Sequence, residues 1–153
     1  VKYILKNMFP MTISFDKINQ LRHVIYYKDA DGLKEHMKMH ADILRPKFEA
    51  VLQELDSQLS DKNIARWTKP KGGYFISLYV PKGCATRVEE LCANAGMILT
   101  SAGATYPYGI DPDDSNLRIA PSYPSVEEIE KASVVLCLAV RYAALEMLLK
   151  AEK

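Results

Sequence analysis

The sequence has almost no charge of one sign left over, little glycine, a single tryptophan and too few cysteines to frame a fold. Twenty basic and nineteen acidic side chains leave a net charge of +1 over 153 residues. That balance removes the basic footprint of a nucleic-acid binder and any polybasic attraction to an anionic membrane surface. Cys84, Cys92 and Cys137 are odd in number and at no framework spacing, so buried free thiols in a reducing cytosol are expected, not disulfides. None of them lies in a cysteine-protease signature. No apolar run reaches the roughly 18 residues that span a bilayer. No internal repeat or low-complexity linker is present. The chain opens Val1-Lys-Tyr-Ile-Leu-Lys-Asn-Met8, with neither an initiator Met nor a basic-then-apolar leader. Tyr3, Ile4 and Met8 are at helical spacing, so the expectation is a start inside a helix of something longer.

What is present is an ordinary globular composition, 48% hydrophobic and 25% charged, enough for one core. Residues 2–8 read as a helix end stopped by Pro10. Ser14 or Asp16 can cap a second helix carrying Ile18, Leu21, Val24 and Ile25 on one stripe. Asp31 is expected to cap a long third helix with the stripe Leu33, Met37, Ala41, Leu44, Phe48, Val51, Leu52, Leu55 and Leu59. Pro46 lies inside it and predicts a kink near Asp42–Arg45. Then the period changes. Ala65–Thr68 and Tyr74–Val80 read as strands around the Lys69–Gly73 turn. Thr86–Ala95 reads as a helix closed by Gly96, and Met97–Thr100 and Leu117–Ile119 as two further strands. Ser125-Val-Glu-Glu128 spells a capping box before a final helix to about Lys150. Helices segregated around a small, mostly antiparallel sheet of three to four strands make an α+β layer.

Three local patterns invite a chemical reading. Ser101–Ser115 holds Gly103, Pro107, Gly109 and Pro112, so it must be irregular, and long loops in compact domains are usually functional or disordered. It leads into Arg118, flanked by Leu117 and Ile119, whose alternation points the guanidinium away from the core. Such a fork suits a carboxylate or phosphate; the alternative is a solvated strand arginine paired with Asp113 or Asp114. His36 and His40, four apart on a helix, could share a metal. No third ligand is near in sequence, so a solvated face is expected and no metal site is assigned. Ser14-Phe-Asp-Lys17 matches the S-x-x-K of serine β-lactamases, but no S-D-N or K-T-G follows; a helix cap is the better reading.

The ordered set of motifs resembles one family. Trp67-Thr-Lys-Pro-Lys-Gly-Gly-Tyr-Phe-Ile-Ser-Leu-Tyr-Val-Pro81 looks like the W-x-x-P-x-G-G-[YF]-F strand-turn-strand of fold-type-I, pyridoxal-phosphate-dependent aminotransferases. Leu91–Thr100 is similar to their following helix and strand, and Ser101–Gly109 to their small-domain active-site loop. Asn116-Leu-Arg-Ile119 is similar to the N-x-R-[IL] segment whose arginine binds the substrate α-carboxylate. Asp16–Val24 and His40–Glu49 resemble a MocR-like or aspartate-aminotransferase-like branch. Where that branch usually has Gly-Pro, this chain has Ser14-Phe15.

The resemblance implies a parent that transfers an amino group between an amino acid, aspartate-like by branch, and a 2-oxo acid, with pyridoxal phosphate as electron sink. The family's imine lysine and the aspartate at its ring nitrogen belong to a large domain N-terminal to this stretch, so no catalytic residue is expected in this chain and the cofactor is not expected to be imine-bound here. Arg118 would hold the α-carboxylate, with Asn116 beside it. Gly73 and Tyr74 would border the entrance, and Thr105, Tyr106 and Tyr108 would line the side-chain pocket. Residues 1–30 would link to the absent large domain and 31–153 would form the small domain of a cytoplasmic homodimer. The alternative is a stand-alone α+β module that binds an amino or oxo acid as a regulatory ligand; a chain that opens inside a helix argues against it.

Overall fold

A computed structural model describes residues 1–11 and 15–151, which form two compact units, Val1–His40 and Ala41–Lys153. In the first, α1 (Lys2–Met8) ends before Pro10, and α2 (Lys17–Tyr27) starts at Asp16, whose side chain accepts the Asn19 N–H at 2.8 Å. Ser14, the other expected cap, lies outside the described residues. The long helix α3 (Ala30–Leu59) is not capped by Asp31. Asp29 Oδ1 accepts the N–H groups of Asp31 (3.0 Å) and Gly32 (2.9 Å), while Asp31 pairs with Lys34 on the surface. Capping requires the residue that precedes the first helical N–H groups, and Asp29 holds that place. α3 runs through Pro46 as one helix. The stripe of α2 is amphipathic yet uncovered: Ile18, Leu21, Val24 and Ile25 are all exposed, as are Tyr3, Ile4 and Phe9.

The core belongs to the second unit. Val51, Leu55 and Leu59 project from α3 at helical spacing and meet the sheet and two further helices in one buried cluster. The sheet has three strands in the order β1 (Arg66–Trp67), β2 (Ile76–Tyr79), β3 (Asn116–Ile119), antiparallel throughout. Ile76, Leu78, Leu117 and Ile119 point into the core. The expected strand at Met97–Thr100 does not form. The Met97 N–H is committed to Cys92 O at 2.8 Å, closing α4 (Ala85–Asn94), and Ile98 is exposed. That bond takes the Met97 donor out of any ladder. Gly96, at φ +84°, supplies the left-handed turn that makes this closure possible.

The capping box forms as read. Ser125 Oγ accepts the Glu128 N–H at 3.2 Å, and the Glu128 carboxylate accepts the Ser125 N–H at 2.8 Å, opening α5 (Val126–Ala151). One 18-residue window of α5 reaches a mean hydropathy of 1.8, the composition of a membrane span. Its apolarity has a local cause: Ile129, Leu136, Cys137, Val140, Ala143 and Ala144 are buried in the core cluster or against it. Arg87 of α4 ties the two helices by a two-pronged bond to Glu146 (2.8 and 3.0 Å).

Leu55 is fully buried at the centre of the cluster, so Leu55→Ala should cost about 2–5 kcal/mol through lost contacts and an unfilled cavity. Ser125→Ala should cost about 1 kcal/mol, the usual worth of a helix cap. Urea unfolding of both variants checks the order; equal losses would contradict this placement of the core.

Candidate functional site

Strand β2 alternates, and the alternation builds a second face. Ile76 and Leu78 are buried, so Phe75, Ser77 and Tyr79 stand on the opposite side. Direct cross-strand partners share a face. The register Ser77↔Arg118 and Tyr79↔Asn116 on one side, and Arg66↔Tyr79 on the other, therefore adds two arginines and an asparagine to it. The Arg118 guanidinium lies 4.6 Å from the centre of the Phe75 ring, and the Arg66 guanidinium 3.8 Å from that of Tyr79. Arg118 is half-buried, and its Nε has no hydrogen-bond partner among the described residues. On the core face, the Trp67 Nε1 donor is likewise without one.

The acids that could neutralise Arg118 are engaged elsewhere. Asp113 pairs with Lys82 at 2.9 Å. Asp114 Oδ1 accepts both the N–H (2.9 Å) and the hydroxyl (2.7 Å) of Thr86, satisfying the N-terminus of α4 from outside the helix. Asp111 accepts the N–H groups of Asp113 (3.1 Å), Ser115 (2.8 Å) and Asn116 (2.9 Å). Burial would raise the Asp111 carboxyl, but these three donors outweigh it and hold it below the usual carboxylate range.

The predicted residues separate into three groups. Arg118 is on the open face with a free fork. Asn116 is buried, and its amide is already used: Oδ1 accepts from the Thr105 hydroxyl at 2.7 Å, and Nδ2 donates to Ser77 Oγ at 2.8 Å. The role open to Asn116 is to hold the 101–115 loop and Ser77 in place. Thr105 is thereby fixed at the edge of this face, and next to it Tyr106 is half-buried. Desolvation, then the charge of Asp111, push the Tyr106 phenol above its usual range, so it stays a neutral donor. Gly73, Tyr74 and Tyr108 are exposed, Tyr108 almost completely. Gly103 and Gly109 let this loop cross itself, since a Cβ on Gly103 would collide with the Gly109 carbonyl. Arg66, Phe75, Ser77 and Tyr79 carry no sequence-predicted role, although the period-two spacing of the last three is visible in the chain.

Other candidates have structural roles. The three thiols are buried and free; burial raises all of them, Cys92 to about 11 and Cys137 to about 12, which leaves no thiolate for nucleophilic work. His36 and His40 lie with ring centres 4.4 Å apart beside Tyr26 and Tyr27, and among the described residues no third ligand completes a metal site. An imine lysine must lose its proton, which a desolvated setting promotes. None of the described lysines is buried, Lys17 is exposed at the start of α2, and Lys47 donates to the Ser122 and Tyr123 carbonyls. The described residues do not fit the covalent end of such a cofactor. Two concavities, of about 330 Å³ beside Ala50, Glu54 and Lys131 and about 500 Å³ beside Asn19, Arg22 and Tyr26, share no residue with the arginine-bearing face.

Comparison with known proteins gives a consistent picture. The family model described as aspartate amino-transferase matches residues 1–152. An aspartate aminotransferase of Corynebacterium glutamicum is 50% identical over 131 residues, 86% of this chain and 30% of the relative. The crystal structure of an aspartate transaminase from Corynebacterium glutamicum superposes with a TM-score of 0.89 at 46% identity, covering 95% of this chain and 34% of that one. An alpha-aminoadipate aminotransferase from Thermus thermophilus, complexed with N-(5'-phosphopyridoxyl)-L-leucine, shares the fold at 23% identity and a TM-score of 0.64, over 74% of this chain and 28% of its own. The chain thus spans about a third of the length of the curated relatives it matches.

Asp111→Ala should free the 111–116 turn and cost about 1–2 kcal/mol at neutral pH, allowing for partial exposure. A depressed carboxyl contributes stability that is full above its unfolded value, about 3.9, and is lost as pH falls through the lower folded value. The gap between wild type and Asp111→Ala in urea unfolding should therefore hold at neutral pH and close on acidification. A gap independent of pH would mean that the carboxylate is not the anchor.

Proposed function

Because the chain belongs to the aspartate amino-transferase family, we propose that its sheet face is the substrate-carboxylate half of an aminotransferase active site. The observation that carries this reading is Arg118: a half-buried residue whose guanidinium carbon lies 4.6 Å from the Phe75 ring centre, with its Nε unbonded and Asp111, Asp113 and Asp114 engaged elsewhere. Contact with a ring occupies none of the guanidinium donors, and a planar fork takes a carboxylate by two parallel bonds. Arg118 binds and orients the amino acid, Asn116 and Thr105 hold the loop against the strand, and Tyr106 supplies a neutral hydroxyl at the edge of the pocket. Tyr74, Gly73 and Tyr108 border the entrance.

The aminotransferase relatives imply pyridoxal phosphate as the cofactor of the parent family, together with amino acid and oxo acid substrates and a larger domain beyond this chain. The covalent chemistry belongs to that domain, so this chain alone is not the catalyst. Residues 1–30 serve as the link to the large domain and 31–153 as the small domain, and the uncovered apolar side chains of α1 and α2 fit such a contact. The parent works as a cytoplasmic homodimer with an aspartate-like donor.

In the full-length parent, Arg118→Ala should lower kcat/KM for amino donors by about 2–5 kcal/mol of transition-state binding, the loss seen when one member of a close charge pair is removed. Arg118→Lys should recover only part, because an ammonium cannot form two parallel bonds. Cofactor content should not change. Single-turnover kinetics with both variants checks this; a near-normal specificity constant for Arg118→Ala would reduce Arg118 to a strand-surface charge.

A further inference from the structure

We infer that the outer face of α5 pairs with the same face of a second copy of this chain, the two helices running antiparallel. The core accounts for only one side of α5, since 39% of its apolar 18-residue window is buried. Val134, Leu138, Tyr142, Leu145, Leu148 and Leu149 are exposed, opposite a buried side that includes Leu136, Val140 and Ala143. The exposed six recur at intervals of three and four, so they form one stripe about 22 Å long. A helix that is apolar on all sides is ordinarily covered on all sides, and a contiguous apolar surface marks an interface.

A domain seated on the arginines does not cover this stripe. The inward residues of β2 and β3 share one core cluster with the buried side of α5, so the arginine-bearing face and the stripe lie on opposite sides of the layer. The two ends of the stripe are complementary to each other. At its start, Ala50, Gln53, Glu54, Glu130, Lys131 and Val134 line the concavity of about 330 Å³ between α3 and α5. At its end, Leu149 is followed by Lys150 in the last turn. An antiparallel alignment that sets Leu138 against Leu145 also sets Val134 against Leu149. Leu149 of the second copy then reaches this concavity and brings its Lys150 toward Glu54 and Glu130. Lys131 is already paired with Glu127, whereas Glu130 and Lys150 are in no ion pair among the described residues. Arg141, beside the two-fold axis, donates to Gln58 of α3 at 3.4 Å, which draws it off the stripe. Antiparallel helices also set the acidic first turn of each, with Glu127 and Glu128, beside the basic last turn of the other; a parallel pair would bring the acidic turns together. Two faces of about 22 Å by 10 Å fall short of the roughly 1,200 Å² that a stable complex buries, so the pairing is weak and reversible.

The test uses the full-length parent. Tyr142 lies beside the two-fold axis of this alignment, so Tyr142→Cys should be oxidised to a disulfide-linked dimer. Leu138→Cys alone should not link, because its counterpart is about 10 Å further along the helix, whereas a mixture of Leu138→Cys and Leu145→Cys should. Cys84, Cys92 and Cys137 are buried, and the unsubstituted protein sets the background. Leu138→Glu should slow the linking of Tyr142→Cys about 10-fold. Adding Leu145→Lys should restore it, because each glutamate then meets a lysine of the second copy. Both positions are exposed, so the far-ultraviolet circular dichroism of these variants should match that of the unsubstituted protein. Linking of Leu138→Cys by itself would mean parallel helices and overturn the inference. A Tyr142→Cys thiol that maleimide labels but oxidation does not link would also overturn it. One that neither labels nor links would assign the stripe to another part of the parent. Flotation with phosphatidylcholine vesicles that Leu138→Glu abolishes, without any linked dimer, would assign it to a lipid surface.

Discussion

Everything on the arginine-bearing face of the sheet follows from the pleat of one four-residue strand. Ile76 and Leu78 are fully buried, and each side chain contributes about 1.5–3 kcal/mol by leaving water. That burial fixes which face of β2 is inside. A slip of one residue would send both into solvent and turn Phe75, Ser77 and Tyr79 into the core. Because cross-strand partners share a face, the same choice sets Arg118 opposite Ser77 and Arg66 opposite Tyr79. The core thus positions the arginines without touching them.

Charge placement completes the arrangement. The 111–114 turn is rich in acid, yet none of its carboxylates reaches Arg118. Asp111 closes its own turn, Asp113 faces Lys82, and Asp114 serves the first turn of α4. Had Asp113 or Asp114 paired with Arg118, the guanidinium would be neutralised and an incoming carboxylate would compete with an intramolecular one. Contact with an aromatic ring is a weaker hold, about 0.5–2 kcal/mol, and it occupies none of the guanidinium donors.

Much of this was legible in the chain. The capping box at Ser125, the Gly96 closure, the buried thiols and the α+β order follow from local rules that the folded structure obeys. Alternation gave the face of Arg118 and left a solvated strand arginine as an alternative; its carboxylate role came from the family resemblance alone. Three things were not. Asp29 and Asp31 are both plausible caps by residue type, and only the hydrogen bonds distinguish them. Met97–Thr100 has strand-forming residues, yet it pairs with no strand, and its first N–H closes the helix before it. Arg66 sits on a two-residue strand too short to show a period, so its face depends on register with Tyr79, a long-range fact. For Asn116 the resemblance implied a place beside the substrate, and the bonds of its amide to Thr105 and Ser77 are long-range facts that no local pattern shows.

We propose that the open face of this sheet is a carboxylate-binding surface with Arg118 at its centre. Its most direct test is a crystal structure of the full-length parent soaked with maleate. One carboxylate should lie on the Arg118 edge by two parallel bonds of about 2.7–2.9 Å, with the Phe75 contact retained. Maleate bound away from this face, with Arg118 still resting on Phe75 and no anion at its edge, would contradict it.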